Sequence, residues 1–332
     1  MELNRYCRAR ISGTGFYVPE KRITNHDLEQ MVDTSDEWIR QRTGIIERRM
    51  AAPEQATSDL AYEASVQAIA DAGLEPKDID QIIVATVTAD TIFPATACRL
   101  QHKLGCRMIP AFDLAAACSG FIYAMAVART AIAVGTVKHV LVVGAETLTR
   151  ITDYQDRNTC ILFGDGAGAA VLSPVTEGDS YIIDTHFAAD GSGADLMILP
   201  GGGSRFPASP EMLEQRLNFT KLEGRAVYKN AITKIVALVN ESLARCNLTN
   251  DDIKLIIPHQ MNARIIESAA KHLDIPVDKI FMNLDRYGNT SAATVPIAIA
   301  EASREGRMKK GDLVVLVAFG GGMTWASALM RW

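Results

Sequence analysis

Two hydrophobic periods alternate along this chain. Short runs rich in β-branched residues, "QIIVATVTA", "PAFDLAAA" and "HVLVVGA", read as buried strands, while "SGFIYAMAVARTAIAVG" between them has the apolar spacing of a helix. This alternation predicts stacked α/β units built on largely parallel strands. The pattern then occurs a second time. "SVQAIADAGLEPKDIDQIIVATVTA" is answered by "LVNESLARCNLTNDDIKLIIPHQMNA", "TVKHVLVVGAE" by "MKKGDLVVLVAFG", and "FGDGAGAAVL" by "FGGGMTWASALM". Ile79 matches Ile253 at an offset of 174 and Val140 matches Leu313 at 173, so the register holds over a long span. Two copies of one α/β unit are therefore expected, residues 1–176 and 177–332, joined within "SPVTEGDS". "PGGGSRFPASP" (200–210) is expected as a long loop of the second copy.

Composition narrows the function classes. The 332 residues suit two fused halves, and 34 basic against 39 acidic residues leave a net charge of -5, which argues against a nucleic-acid binder. The longest apolar runs are strand-sized and fall short of the roughly 18 residues of a membrane span. "MELNRYCRARISGTG" carries charges where an export signal has its apolar region, so a cytoplasmic protein is expected. Six scattered cysteines without CxxC spacing are expected to be reduced thiols, neither disulfides nor a zinc site.

Candidate chemistry gathers at strand ends. Cys118 falls between a predicted strand and a predicted helix, where a helix N-terminus would lower a thiol pKa from its usual value of about 8.5. Small neighbours on both sides leave room for a substrate, although a buried structural cysteine fits the same local pattern. In the second copy His259 follows a buried strand, and Asn289 precedes an alanine-rich helix in the place taken to correspond to Cys118. Either residue alone suits an ordinary core or capping role. The duplication, however, brings all three towards one site. "FGGGMTW" (319–325) offers bare backbone N–H groups to an oxyanion, or is a tight turn. "GDGAGA" from Gly164 matches a dinucleotide fingerprint, but a strand is expected after it instead of the required helix. Trp38 and Arg42, at helical i,i+4 spacing, pair an aromatic plane with a guanidinium, as packing or as a nucleotide contact.

Taken together, "AAACSGF", "IPHQMNARI", "RYGNTSAA", "DTSDEWIRQRTGI", "FGDGAGA" and "AFGGGMTW" resemble the β-ketoacyl-[acyl-carrier-protein] synthase III family of the thiolase superfamily, from about residue 8 to the C-terminus. The resemblance implies a thiolase-like fold, a duplicated α/β unit in five layers α-β-α-β-α, and a homodimer. It implies that Cys118 takes an acyl group from acyl-CoA as a thioester and that malonyl-ACP then loses carbon dioxide and attacks it. His259 and Asn289 would donate to the malonyl thioester oxygen, the N–H groups of Cys118 and Gly321 would form the other oxyanion hole, and Phe319 would shield the carbanion. Trp38, Arg42 and Arg157 match contacts to the CoA adenine, with Thr43 beside them; Asn262 matches a pantetheine contact, and Tyr228 stands at the tunnel wall. Arg264, Lys229 and Lys271 match a basic rim for an acidic carrier protein. Phe93 matches a residue that closes the partner's acyl pocket and implies a short primer, acetyl above all. No cofactor or metal is implied, since acyl-CoA and malonyl-ACP are substrates.

Some features depart from the familiar pattern: Asn158 after Arg157, tyrosine at 228, and the long 200–218 stretch, onto which no role is carried. A starter-unit or secondary-metabolite synthase shares every motif above. A degradative thiolase needs a second active-site cysteine near the C-terminus, and none follows Cys246. A non-catalytic acyl-CoA or carrier-protein binder would be expected to lack one of Cys118, His259 and Asn289, and a dehydrogenase would need a helix after Gly164.

Overall fold

The computed structural model describes residues 7–175, 178 and 180–332. The first sheet has five strands in the order Ala9–Tyr17, Asp165–Pro174, Val140–Thr147, Gln81–Ala85, Ala111–Leu114. Its last three strands run parallel, and the first two pair antiparallel. The second sheet repeats this plan: Tyr181–Ala189, Thr324–Arg331, Leu313–Gly320, Ile253–Pro258. In place of a fifth strand it has one parallel bridge, Ile256 to Ile280. The boundary expected between residues 176 and 177 lies outside the described residues.

Five layers result. Helices Gly120–Ala133 and Thr294–Arg304 lie between the sheets and share one core with both of them. A helix covered on every side has no use for a polar face, which is why these two segments are alanine-rich and apolar nearly all round. Thr57–Asp71 and Thr96–Leu104 cover the outer face of the first sheet, and Gly224–Arg245 and Ala263–His272 that of the second. Central strands Gln81–Ala85 and Leu313–Gly320 are buried along their whole length, as parallel strands with both faces covered must be. The segment after Gly164 is the strand Asp165–Pro174, so the dinucleotide fingerprint lacks its helix. No helix among the described residues is long and apolar enough to cross a membrane.

Superposing the copies by register corrects one expected correspondence. The short 3-10 turns Ala117–Ser119 and Ser291–Ala293 lead into the two central helices, and each begins on a residue with positive φ. The offset of 174 therefore matches Ala117 with Ser291 and Cys118 with Ala292. Asn289 is not the counterpart of Cys118; it stands three residues ahead of that position. Gly144 makes the close approach of the two copies possible, because a Cβ there would lie 2.2 Å from the Ala292 carbonyl oxygen.

Candidate active site

Cys118, His259 and Asn289 line a single cavity of about 690 Å³ that opens between Trp38, Arg42 and Arg264. Cys118 stands at its foot, buried, on the turn that follows strand Ala111–Leu114. The strand Leu313–Gly320 presses against it: a Cβ on Gly320 would lie 2.7 Å from the Cys118 amide nitrogen, so only glycine permits this contact. Gly321 comes next, in the turn of the hairpin formed with Thr324–Arg331. Phe319 is buried at the end of the same strand and lines the cavity.

The expected thiolate is not the resting state. Cys118 precedes Ser119, the N-cap of helix Gly120–Ala133, and burial pushes its thiol up to about 12 despite the opposing effect of the neighbouring Ser291 side chain. Desolvation of the charged form outweighs the helix terminus here.

His259 follows strand Ile253–Pro258, held by its N–H to the Val317 carbonyl at 2.8 Å. Its Nδ1 lies 2.7 Å from Thr294 Oγ1, which is itself 2.9 Å from the Ser291 carbonyl oxygen. The threonine has one proton to give. If the carbonyl receives it, Nδ1 carries the ring proton and Nε2 is a lone pair; if Nδ1 receives it, Nε2–H becomes a donor. A donor role for His259 requires the second arrangement. Burial pushes the imidazole down to about 3, so the ring is neutral in either case.

Asn289 is fixed by backbone pairing: its N–H bonds the Leu162 carbonyl at 2.9 Å and its carbonyl accepts from Gly164 N–H at 3.1 Å. Its Oδ1 accepts from the Ser291 N–H at 2.8 Å, which aims the amide nitrogen away from that bond.

The mouth is built by helix Asp36–Thr43. Ser35 caps it by accepting from Trp38 N–H at 3.2 Å, acids fill its first turn and arginines its last, and Gly44 ends it in the left-handed region. The Arg42 guanidinium lies 5.1 Å from the Trp38 ring centroid and Arg157 lies 4.5 Å from it. Arg157 thus stacks on Trp38 and pairs with Asp33 at 3.5 Å; Asn158, not Arg157, lines the cavity. Thr43 lines it too, its hydroxyl donating to Ile39 O at 2.8 Å. Asn262 is already engaged, capping Ala263–His272 through Arg264 N–H and donating to the Arg42 carbonyl at 3.0 Å. Tyr228 is on the wall. Lys229 and Lys271 are exposed on the two outer helices, and Arg264 and Lys271, seven residues apart, share a helix face. Phe93 is exposed and does not reach the cavity of its own chain.

Several residues went unseen in the sequence. Arg225 adds a third arginine to the lining, whose charged members are all basic. Gly320, Ser291 and Thr294 shape the foot of the cavity, and the acid of "VGAET", Glu146, is buried behind it. A charged residue inside an otherwise apolar strand was the available signal for Glu146.

A doubled sheet core with a buried cysteine, a histidine and an asparagine converging on one cavity defines a condensing enzyme of the thiolase fold. Residues 112–191 match the family model described as 3-oxoacyl-[acyl-carrier-protein (ACP)] synthase III, and residues 243–332 match its C-terminal model. A protein of Caldanaerobacter subterraneus subsp. tengcongensis named beta-ketoacyl-[acyl-carrier-protein] synthase III is 55% identical over 324 residues, covering 98% of each chain. The crystal structure of 3-oxoacyl-[acyl-carrier-protein] synthase III from Aquifex aeolicus VF5 superposes with a TM-score of 0.90 at 43% identity, over 98% of this chain and 100% of that one. The priming beta-ketosynthase from the R1128 polyketide biosynthetic pathway superposes with a TM-score of 0.91 at 31% identity, over 100% of this chain and 98% of that one. The chain belongs to the β-ketoacyl-[acyl-carrier-protein] synthase III family.

Proposed function

We propose that this enzyme starts fatty acid synthesis by condensing a short acyl-CoA, acetyl-CoA above all, with malonyl-ACP to give a 3-ketoacyl-ACP. The observation that carries this reading is the cavity itself, with Cys118, His259 and Asn289 at its foot and Trp38, Arg42 and Arg264 at its mouth. A thioester on Cys118 divides a difficult carbon–carbon condensation into two easier steps. Decarboxylation of the malonyl group leaves negative charge on its thioester oxygen, which His259 Nε2–H and the Asn289 amide receive; losing one such donor costs about 10² to 10³ in rate. The N–H groups of Cys118 and Gly321 serve the tetrahedral intermediates at the acyl carbon, and Phe319 keeps water from the carbanion. No cofactor is required, because the attacking electron pair comes from the bond to the departing carbon dioxide.

An arginine-lined mouth suits the phosphates of CoA and of a phosphopantetheine arm. Trp38, with Arg42, Arg157 and Thr43, is assigned to the adenine, and Tyr228 and Asn262 to the pantetheine arm. Arg264, Lys229 and Lys271 form the face for acidic acyl carrier protein. Ile92, Phe93 and Met108 are exposed apolar residues in the segments on either side of helix Thr96–Leu104, which precedes the edge strand Ala111–Leu114; this supports a homodimer formed there, with Phe93 limiting the partner's acyl pocket. The two halves 1–176 and 177–332 then act as one catalytic unit, and its substrates place it in the cytoplasm.

The test is intact-protein mass spectrometry after incubation with acetyl-, butyryl-, isobutyryl- and octanoyl-CoA, with peptide mapping of the adduct and subsequent addition of malonyl-ACP. Acetyl on Cys118, discharged to acetoacetyl-ACP and absent in Cys118→Ser, is the expected result. A different preferred acyl group would favour the priming role of the polyketide neighbour, and absence of any adduct would refute the condensing mechanism.

A further inference from the structure

One buried acid beside the nucleophile is left without a task. Glu146, near the end of strand Val140–Thr147, is fully buried. Thr88 Oγ1 donates to it at 2.5 Å, Thr86 Oγ1 at 3.2 Å and the Val87 N–H at 3.1 Å, so neutral donors alone make these three contacts. The Ser291–Ala293 turn packs against both this strand and the Ala117–Ser119 turn, and the Ser291 side chain is a neighbour of the Glu146 carboxyl and of the Cys118 thiol. Ser291 adopts φ 48° at the start of its turn while its N–H stays tied to Asn289. His259 Nδ1 is occupied by Thr294.

We propose that Glu146 is the proton acceptor for Cys118, reached through the Ser291 hydroxyl, and that it stores the thiol proton while the enzyme carries an acyl group. The inference rests on the acyl-thioester reading of Cys118. As the sulfur attacks the acyl-CoA carbonyl carbon, the thiol proton passes to Ser291 Oγ and the Ser291 proton passes to the Glu146 carboxylate. The new C–S bond to Cys118 forms, the C–S bond to CoA breaks, and CoA leaves as a thiolate that takes a proton from water at the mouth. In the condensation the malonyl-derived carbanion attacks the thioester, Cys118 departs as a thiolate, and Glu146 returns the stored proton through Ser291. One proton is consumed per turnover, the one that ends on CoA.

Burial pushes Glu146 up to about 7, where a carboxyl group exchanges protons near neutral pH. The titratable groups on the elements around it are few. Cys118 is the one it addresses; Asp165 on the adjoining strand is held by Ala51 N–H and Thr149, Asp90 by Ser58, and Asp59 by Lys103.

The experiment compares wild type with Glu146→Gln, Glu146→Asp and Ser291→Ala. Single-turnover acylation by acetyl-CoA is followed by CoA release and intact mass, and enzyme loaded to completion is then given malonyl-ACP. Loss of a proton acceptor is expected to slow acylation on the order of 10²-fold in Glu146→Gln and Ser291→Ala, and to slow condensation by the loaded enzyme as well, because no stored proton then returns to the departing Cys118 sulfur. Glu146→Asp should restore part of the acylation rate. The wild-type acylation rate should rise with pH through about 7 as the carboxylate forms, and that rise should vanish in Glu146→Gln. Unchanged acylation in either variant overturns the proposal. So does equal loss of both steps with an unmoved pH profile, which is the signature of a structural role. Should Glu146→Gln fail to fold, Ser291→Ala decides alone. Failure of the wild type to form a Cys118 adduct would instead refute the underlying reaction.

Discussion

Ala117 and Ser291 hold the same left-handed backbone conformation, φ 46° and 48°, at matching positions of the two copies. The turns they begin pack against each other at the foot of the cavity. For a residue with a Cβ this conformation costs about 1–2 kcal/mol, a strain that persists where the surrounding structure enforces it. It presents Cys118 on one side and the Asn289–Ser291 bond on the other.

A β-branched side chain tolerates that conformation poorly. Ala117→Val is expected to lower stability by roughly 1–2 kcal/mol and to slow Cys118 acylation, whereas Ala117→Gly keeps the acylation rate. Urea denaturation and adduct formation measured on the same preparations check this. Wild-type acylation in the valine variant would remove the turn conformation from the control of Cys118.

Gly320→Ala tests the contact between the copies. Its Cβ would sit 2.7 Å from the Cys118 amide nitrogen and 3.2 Å from the Ser119 nitrogen, both backbone atoms that cannot swing aside. Overpacking of this kind typically costs about 1–3 kcal/mol. Acylation should fall at least as steeply as stability, because the displaced N–H is the one assigned to the acyl oxyanion. A variant that is destabilised yet acylates normally would place the oxyanion hole elsewhere.

His259→Ala is expected to accept the acyl group from CoA and to fail at decarboxylation of malonyl-ACP; collapse of acylation would instead assign the imidazole to the thiol. Its titration gives a second check. The folded pKa lies at about 3, below the usual value of about 6.5 in an unfolded chain. Between these values the unfolded state binds a proton that the folded state refuses. The stabilisation is therefore complete above 6.5 and is lost as pH falls from 6.5 towards 3. Denaturation of wild type and His259→Gln at a series of acidic pH values should show the shallower fall in the variant.

Trp38→Ala removes the plane on which Arg42 and Arg157 rest. A lost cation–π and stacking surface of this type is worth about 1–2 kcal/mol, so the KM for acetyl-CoA should rise on the order of 10-fold with kcat nearly unchanged. A loss confined to kcat would move Trp38 from binding to the ordering of the site.

Local pattern determined a large part of this protein. The strand and helix periods, the offset of 174, and the small residues around Cys118 are consequences of nearest-neighbour chemistry, and they gave the two sheets and the two central helices in order. The cap, acid and base pattern of "TSDEWIRQRTGI" likewise set the helix at the mouth and the pairing of Trp38 with Arg42. Tertiary structure alone decided the protonation of the site. A helix terminus lowers a thiol pKa only where the charged form keeps some solvation, and the depth at which Cys118 lies appears in no local motif. Which residue faces which across the copies was also beyond the sequence: Ala292, not Asn289, matches Cys118. The bond between His259 and Thr294 and the approach of Ser291 to both Cys118 and Glu146 join positions far apart in the chain. Such contacts depend on how closely two sheets and two helices pack, and glycines at 144 and 320 set that distance.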